Sequence, residues 1–404
     1  MEADYLKNIL KPDWKLQKNR RGHSLHSMCT YMASFPPGIP KYFIEMFTQE
    51  NDVVFDPFSG RGTTPAEACI LGRKGIGNDL NPLAYILTRS KVRVPDRDAI
   101  KKRLVNLKNK WLTEKEKIDI IKEPDKIKMI FHPYTLNQLV FLKNNLNYKN
   151  GDIDVFLIGN LMGCIHGSSK GFLSVSMPNT FSMSPNYIKK YIQEKKLILP
   201  KRDVFEVLEN KINRVLEDGI PETTGECFYG DARHVKLDAN SVKLIVSSPP
   251  YLKVIKYGMY NWIRLWFINE EPEMVDEKLD DTHNLPNYLI FMDEGFKEVN
   301  RIMRDDGLIV FIIGDVIKKD VSVNLAEEVW KYSGEKNGFK LLKIIEDNIE
   351  KNNKTTKIWN EKRGKATPTD RLLVMYKKRI PTLINRKVNW NKCQNKDKTL
   401  LRYQ

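Results

Sequence analysis

Val53-Val54-Phe55-Asp56-Pro57-Phe58-Ser59-Gly60-Arg61-Gly62-Thr63-Thr64 is the stretch whose reading decides the fold. Three strand-forming residues lead into Asp56-Pro57, and the chain then turns through Gly60 and Gly62 before a helical pattern over Thr64 to Gly72. A strand, a Gly-rich turn and a helix in that order open a doubly wound nucleotide-binding fold. Glycines here let backbone N–H groups approach a ligand where a Cβ would clash. The helix N-terminus adds partial positive charge at the same place. An acid at the strand end, Asp56, suits the ammonium of an amino acid better than a pyrophosphate. A tight turn with Asp56 as a helix cap would use the same residue types.

Outward from this unit, Lys74 to Gly77 reads as a second strand closed by Asp79, 17 residues after Gly62. An acid at this distance accepts hydrogen bonds from ribose hydroxyls, or caps the helix that begins near Pro82. From Asp96 to Asp218 the texture changes to Lys/Arg-rich helical patterns, Ile100 to Ile121 and Tyr187 to Leu216, flanking a Ser-, Gly-, Met- and Pro-rich stretch. The α/β pattern resumes at Cys227. Val242 to Ser247 is an apolar strand, and Tyr288 to Met303 a helix. Asp305-Asp306-Gly307 is expected to turn into the strand Leu308 to Gly314, with further strands at Leu341 to Glu346 and Arg371 to Lys377. This alternation predicts an α/β fold: a largely parallel sheet with helices on both faces and a mainly helical insertion. The expected divisions are 1–95 and 223–380 for the two parts of the sheet domain, 96–222 for the insertion, and 381–404 for a basic tail.

The 404 residues carry a formal net charge of +16, an excess that favours polyanionic partners through counterion release, or else a solvated lysine surface. No apolar run reaches the roughly 18–20 residues of a membrane helix. Met1 to Arg21 is polar, so a cytoplasmic protein with no membrane association is expected. The five cysteines are widely spaced without a C-x-x-C pair, so neither a disulfide framework nor a metal site is expected.

The most specific element is Ser248-Pro249-Pro250-Tyr251, directly after a strand. The lone pair of a nucleobase amine is delocalised into its ring and is a poor nucleophile. Two acceptors aimed at its hydrogens, the Ser248 side chain and the Pro249 carbonyl, favour a pyramidal nitrogen that can attack a sulfonium methyl. Pro250 rigidifies the turn, and Tyr251 offers an aromatic face to an extruded base. A rigid Pro-Pro loop beside a buried Tyr is the purely structural alternative.

Taken in order, these pieces resemble the amino-methyltransferase family of DNA-modifying enzymes, over roughly residues 20–95 and 225–380. Asp56-Pro57-Phe58-Ser59-Gly60-Arg61-Gly62-Thr63-Thr64 resembles its cofactor loop, and Asn78-Asp79-Leu80-Asn81-Pro82 its ribose-binding strand end. Gly230-Asp231-Ala232 resembles its adenine-binding turn, Ser248-Pro249-Pro250-Tyr251 its catalytic loop, and Tyr31 to Pro40, with Phe35, its extra cofactor-binding segment. The resemblance implies a Rossmann-like methyltransferase fold, S-adenosyl-L-methionine as cofactor, and a methylated exocyclic amine as product. Ser at the first position of the catalytic loop is typical of cytosine-N4 enzymes; Asp or Asn is typical of adenine-N6 enzymes. The implied partner is double-stranded DNA, with a companion restriction endonuclease as a further expectation.

The insertion departs from the family's best-known arrangements by falling between Asp79 and Asp231. It is the leading candidate for target recognition, with polar Ser174, Ser176, Asn179, Thr180 and Ser182 interleaved with Met177 and Phe181. Lys253 to Trp266, the charged loop Lys351 to Lys365 and the basic tail are further candidates for DNA contact. Adenine-N6 methylation, guanine-N2 methylation of RNA, and a non-catalytic nucleic-acid-binding role remain as alternatives.

Overall fold

In a computed structural model of the chain, the described residues are 2–17, 21–179, 181–250, 252, 256–279, 284–318, 321–348, 366–388 and 390. The chain begins with α1 (Glu2–Ile9) and α2 (Gly38–Phe47), then β1 (Val53–Asp56), α3 (Thr63–Ile70), β2 (Lys74–Asp79) and α4 (Pro82–Val92). The helical stretch follows as α5 (Arg97–Glu114), α6 (Asp125–Lys128), α7 (Pro133–Asn145), α8 (Asp152–Met162), α9 (Pro185–Glu194) and α10 (Val204–Val215). Then come β3 (Glu226–Tyr229), β4 (Val242–Ser247), α11 (Tyr257–Tyr260), α12 (Trp262–Phe267), α13 (Pro272–Lys278) and α14 (Leu285–Ile302). The chain closes its sheet with β5 (Met303–Lys318), β6 (Val321–Val323), α15 (Leu325–Val329), β7 (Lys340–Asn348) and β8 (Ala366–Tyr376).

The strand order is β3-β2-β1-β4-β5-β8-β7, with β6 paired to β5. From β3 to β5 the pairs are parallel, whereas β8 runs antiparallel to both β5 and β7. The order reverses between β1 and β4, which makes a topological switch point with a crevice at the strands' carboxyl ends. β4 is buried at every position, as a central strand covered on both faces must be. Alternate residues feed two cores. Leu244, Val246, Leu308, Val310 and Ile312 pack with α2 on one face, and Ile245, Ile309, Phe311 and Ile313 pack with α14 on the other.

Two expectations change. The turn at Asp305-Asp306-Gly307 lies inside β5. Met303 pairs with Val242 and Leu308 with Leu244, so the residues between bulge from the ladder. There the Asp306 carboxylate accepts the ammonium of buried Lys243 at 2.8 Å. The helix expected over Tyr187 to Leu216 is two helices, α9 and α10, separated by a non-helical segment that contains Pro200. The start of the tail, whose form the sequence left open, is tied to the sheet domain: the Ile384 N–H donates to the Met46 carbonyl at 2.8 Å, and Leu383, Val388 and Trp390 pack on the α2 core.

The insertion has no core of its own. Its Leu139, Phe156 and Leu208 share one apolar cluster with Leu83 and Leu87 of α4 and with Trp262 to Ile268 after the catalytic loop. Arg89 of α4 and Arg93 just after it both bind Asp152 at the start of α8. Among the described residues, no helix is long and apolar enough to cross a membrane.

Candidate active site

Each strand end contributes one wall of a single cleft. The loop after β1 turns at Gly60 (φ 52°) and Gly62 (φ 76°), both in the left-handed region. Gly62 is required twice over, since a Cβ there would lie 2.8 Å from the Thr88 Cα of α4. The loop is tied down from several sides. The Ser59 N–H donates to the Asn78 carbonyl (3.0 Å), and the Thr64 hydroxyl donates to the Val246 carbonyl (2.9 Å), stapling α3 to the end of β4. Lys91, wholly buried, donates to the Arg61 carbonyl at 2.5 Å.

Asp79, at the end of β2, faces this loop. One carboxylate oxygen accepts the Gly60 N–H (2.8 Å) and the other the Asn81 N–H (2.9 Å). Burial pushes its pKa up to about 6. Buried Asn78 spans two loops, its amide donating to the carbonyls of Pro57 (3.3 Å) and Gly230 (2.9 Å). After β3, Asp231 binds Arg233 through both carboxylate oxygens (2.7 and 3.0 Å). Burial alone would raise the Asp231 pKa, but these bonds outweigh it and hold the carboxyl below its usual range. Ser248 follows β4, and its hydroxyl donates to the Ile312 carbonyl of β5 at 3.1 Å.

The expected residues separate into two groups. Phe35, Pro57, Phe58, Gly60, Thr63, Asp79, Leu80, Asp231, Ala232, Ser248, Pro249 and Pro250 all line the cleft. Asp56, Gly62 and Thr64 do not. The Asp56 side chain has no exposed surface; it accepts the Ser247 hydroxyl at 2.5 Å and the Phe58 N–H at 3.2 Å, and burial pushes its pKa up to about 7. In this arrangement Asp56 ties the loop after β1 to the end of β4. Tyr251 lies outside the described residues.

The cleft also contains Leu279 and Phe291, which sequence reading did not single out, and Tyr31, Asn81 and Tyr257, which it named only within longer stretches. Phe291 of α14 faces Phe58 at 5.8 Å and carries the Arg233 guanidinium over its ring at 5.5 Å. Asn81 accepts the Leu83 N–H as the cap of α4 while its amide donates to the Tyr31 hydroxyl at 3.0 Å. Tyr31 and Asn81 were signalled by segments that resemble the family's cofactor-binding stretches, Tyr257 by the basic and aromatic residues of Lys253 to Trp266, and Leu279 and Phe291 by nothing local.

Of the target-recognition candidates, much of Phe172 to Pro185 is packed. Ser174, Met177, Phe181 and Ser182 are buried, while Ser176 and Asn179 are partly exposed. Thr180, Lys253, Lys351 to Lys365 and the tail from 391 lie outside the described residues.

Several known proteins resemble this chain. It is 29% identical over 126 residues to the type II methyltransferase M.MjaII of Methanocaldococcus jannaschii, a match covering 29% of this chain and 24% of that protein. It is 24% identical to the type II methyltransferase M.BsoBI of Geobacillus stearothermophilus, covering 64% and 54% of the two chains. With M.MvaI of Kocuria varians the identity is 21%, covering 69% and 64%. The chain therefore spans less than two thirds of the length of these relatives. Among solved structures, a putative DNA modification methylase of Thermus thermophilus, complexed with S-adenosyl-L-methionine, is 22% identical with a TM-score of 0.24, over 38% of this chain and 54% of that one. The DNA methylase family model (N6_N4_Mtase) matches residues 4–88 and 242–403, which is more than half of the sequence. The gap at 89–241 holds the helical insertion and the β3 turn, so the match falls on the strands and loops that build most of the cleft. On that match the chain belongs to the DNA methylase family.

Proposed function

We propose that the chain is an S-adenosyl-L-methionine-dependent DNA methyltransferase that modifies an exocyclic amine of a base extruded from double-stranded DNA, N4 of cytosine ahead of N6 of adenine. The observation that carries this reading is the meeting of four strand ends in one cleft, with Gly60 and Asp79 on one side and Ser248 on the other.

The residues present fit the methyl donor. Gly60 bares its backbone to the cleft in a conformation that L side chains rarely adopt. Asp79 retains acceptor sites beyond the two N–H groups it already binds, enough for a ribose diol. Phe58, Leu80, Ala232 and Phe291 give apolar walls for an adenine ring, and Asp231 keeps acceptor capacity beyond its bonds to Arg233. Phe35, Pro57 and Thr63 complete the lining, while Asp56, Gly62 and Thr64 hold the loop from beneath.

When bound, this cofactor supplies an electrophilic methyl group on a sulfonium. The chain's own part is to prepare the amine. Ser248 spends its hydroxyl hydrogen on the Ile312 carbonyl, so its oxygen is left to accept. With the Pro249 carbonyl it accepts the two amine hydrogens, and the nitrogen lone pair is released from conjugation. A neutral hydroxyl in this position is the feature that favours cytosine-N4. Likeness to type II methyltransferases supports a place in restriction–modification beside a companion endonuclease. The 96–222 insertion is the proposed recognition element.

The test is incubation with unmodified duplex DNA and labelled cofactor, followed by digestion to nucleosides. N4-methylcytosine is expected. N6-methyladenine as the sole product would replace the base assignment, and label in transfer RNA without label in duplex DNA would replace the substrate class.

A further inference from the structure

Aromatic residues line the described part of the cleft that holds Ser248, Pro249 and Pro250. Tyr257, the first residue of α11, lines the cleft together with Ser248, Pro249 and Pro250. Its ring stacks on that of Tyr31 with centroids 5.7 Å apart and planes 17° apart. Tyr31 is fixed in turn. Its hydroxyl takes the Asn81 amide at 3.0 Å, and its ring edge passes 3.5 Å from where a Cβ would stand on Gly60. A stacked pair therefore joins the glycine loop to α11, and both rings line the cleft that Ser248, Pro249 and Pro250 also line.

Tyr257 is held more firmly than a loop residue usually is. The Asp276 carboxylate of α13 accepts the N–H groups of Gly258 (2.6 Å) and Met259 (3.1 Å). The Asn261 amide donates to the Tyr257 carbonyl at 2.8 Å, and Asn261 is itself gripped by the buried Arg264 guanidinium at 2.7 Å. Gly258 packs so closely on α13 that a Cβ would lie 2.0 Å from the Pro272 carbonyl oxygen. Such clamping of a four-residue helix is out of proportion to its length. It fixes the ring that α11 contributes to the cleft.

We propose that Tyr257, propped by Tyr31, is the aromatic wall against which the target base is held while Ser248 and Pro249 take its amine. The proposal rests on the methyltransferase reading above and adds a positioning residue to it. An aromatic face stacks on any base, so the wall contributes to holding the base and not to choosing it. This helix and α12 after it also meet the insertion. The Ser182 N–H donates to the Tyr260 carbonyl (2.9 Å), and the Trp262 indole N–H donates to the Met183 carbonyl (2.9 Å). The wall is thus braced by the segment proposed to read DNA.

The test uses the full chain, unmodified plasmid DNA and labelled S-adenosyl-L-methionine, with Tyr257→Ala, Tyr257→Leu and Tyr257→Phe. Tyr257→Ala is expected to lower kcat/KM for DNA by about 10- to 100-fold, the range of one lost base–aromatic stack. Cofactor affinity by calorimetry should stay within about twofold, because the residue faces the target side. Tyr257→Phe should retain activity within about threefold, since the ring and not the hydroxyl makes the stack. If Tyr257→Ala does not fold, the comparison of Leu with Phe, similar in bulk, carries the same prediction. Equal rates for the Leu and Phe variants, or an equal loss of cofactor affinity, would overturn the proposal. Failure of the wild-type chain to methylate DNA would instead overturn the functional reading and this wall with it.

Discussion

The two parts of the cleft that we propose for the cofactor and for the target base are built by different means. On the cofactor side, the groups belong to short stretches at the ends of adjacent parallel strands. Asp79 meets Gly60 across 19 positions of sequence, and both sit where β1 and β2 stop. On the target side, the groups come from remote segments. Ser248 leans on Ile312, Tyr257 on Tyr31, and Tyr260 on Ser182 of the insertion. A strand-end site inherits its geometry from the sheet, whereas an assembled site depends on helices packed over it. The first is therefore expected to tolerate changes in the insertion, and the second to respond to them.

The sharpest way to break this contrast is Ser248→Ala. Turnover is expected to fall by about 100-fold or more, the usual cost of removing one preorganised polar partner of a reacting group. Calorimetric cofactor affinity should be unchanged, because Ser248 stands on the target side. A parallel loss of affinity would mean that the two sides are not separable.

The complementary change is Asp79→Ala. Loss of charged hydrogen bonds to a ribose diol, each about 1.5–3 kcal/mol, predicts at least about tenfold weaker cofactor binding. In the wild type the bound diol favours the ionised carboxylate, whose pKa lies at about 6. Affinity should accordingly fall as the pH drops below 6, and the alanine variant should lack that fall.

Gly62→Ala probes the frame beneath. A side chain at φ 76°, 2.8 Å from the Thr88 Cα, is expected to cost about 1–3 kcal/mol of stability, read as a lower Tm. Both sides of the cleft should suffer together, since α3 and α4 are wedged apart.

The smallest effect is expected at Asp56. Its folded pKa of about 7 lies above the ordinary carboxylate value, so the native state holds this proton more tightly than the unfolded chain. The resulting stabilisation is complete below about pH 4 and is lost as the pH rises through about 7. Asp56→Asn, which keeps an acceptor for Ser247, should show a flatter dependence of Tm on pH across that interval. An unchanged profile would show that Asp56 does not titrate there.

The strand–loop–helix of residues 53–70, the second strand ending in Asp79 and the apolar β4 were legible because each is a local pattern. Val-Val-Phe commits to a strand, Gly-x-Gly to a turn with positive φ, and strand ends in a parallel sheet must converge on one edge. The helical character of the insertion was legible for the same reason, and its break near Pro200 was overlooked within a long periodic stretch. The bulge at Arg304 to Gly307 was read as a turn because Asp-Asp-Gly has turn chemistry; pairing on both sides and Lys243 beneath it overrode that preference.

What the sequence determined by itself is the order of the strand and loop motifs, hence the sheet and the cofactor side of the cleft, because these follow from backbone preferences a few residues long. Tertiary structure alone decided that Asp56 turns inward to Ser247, that the insertion shares its core with α4 and α12, and that Tyr31 and Tyr257 meet. Those outcomes depend on which side chains are brought together from segments far apart in sequence, and no local periodicity encodes such a meeting.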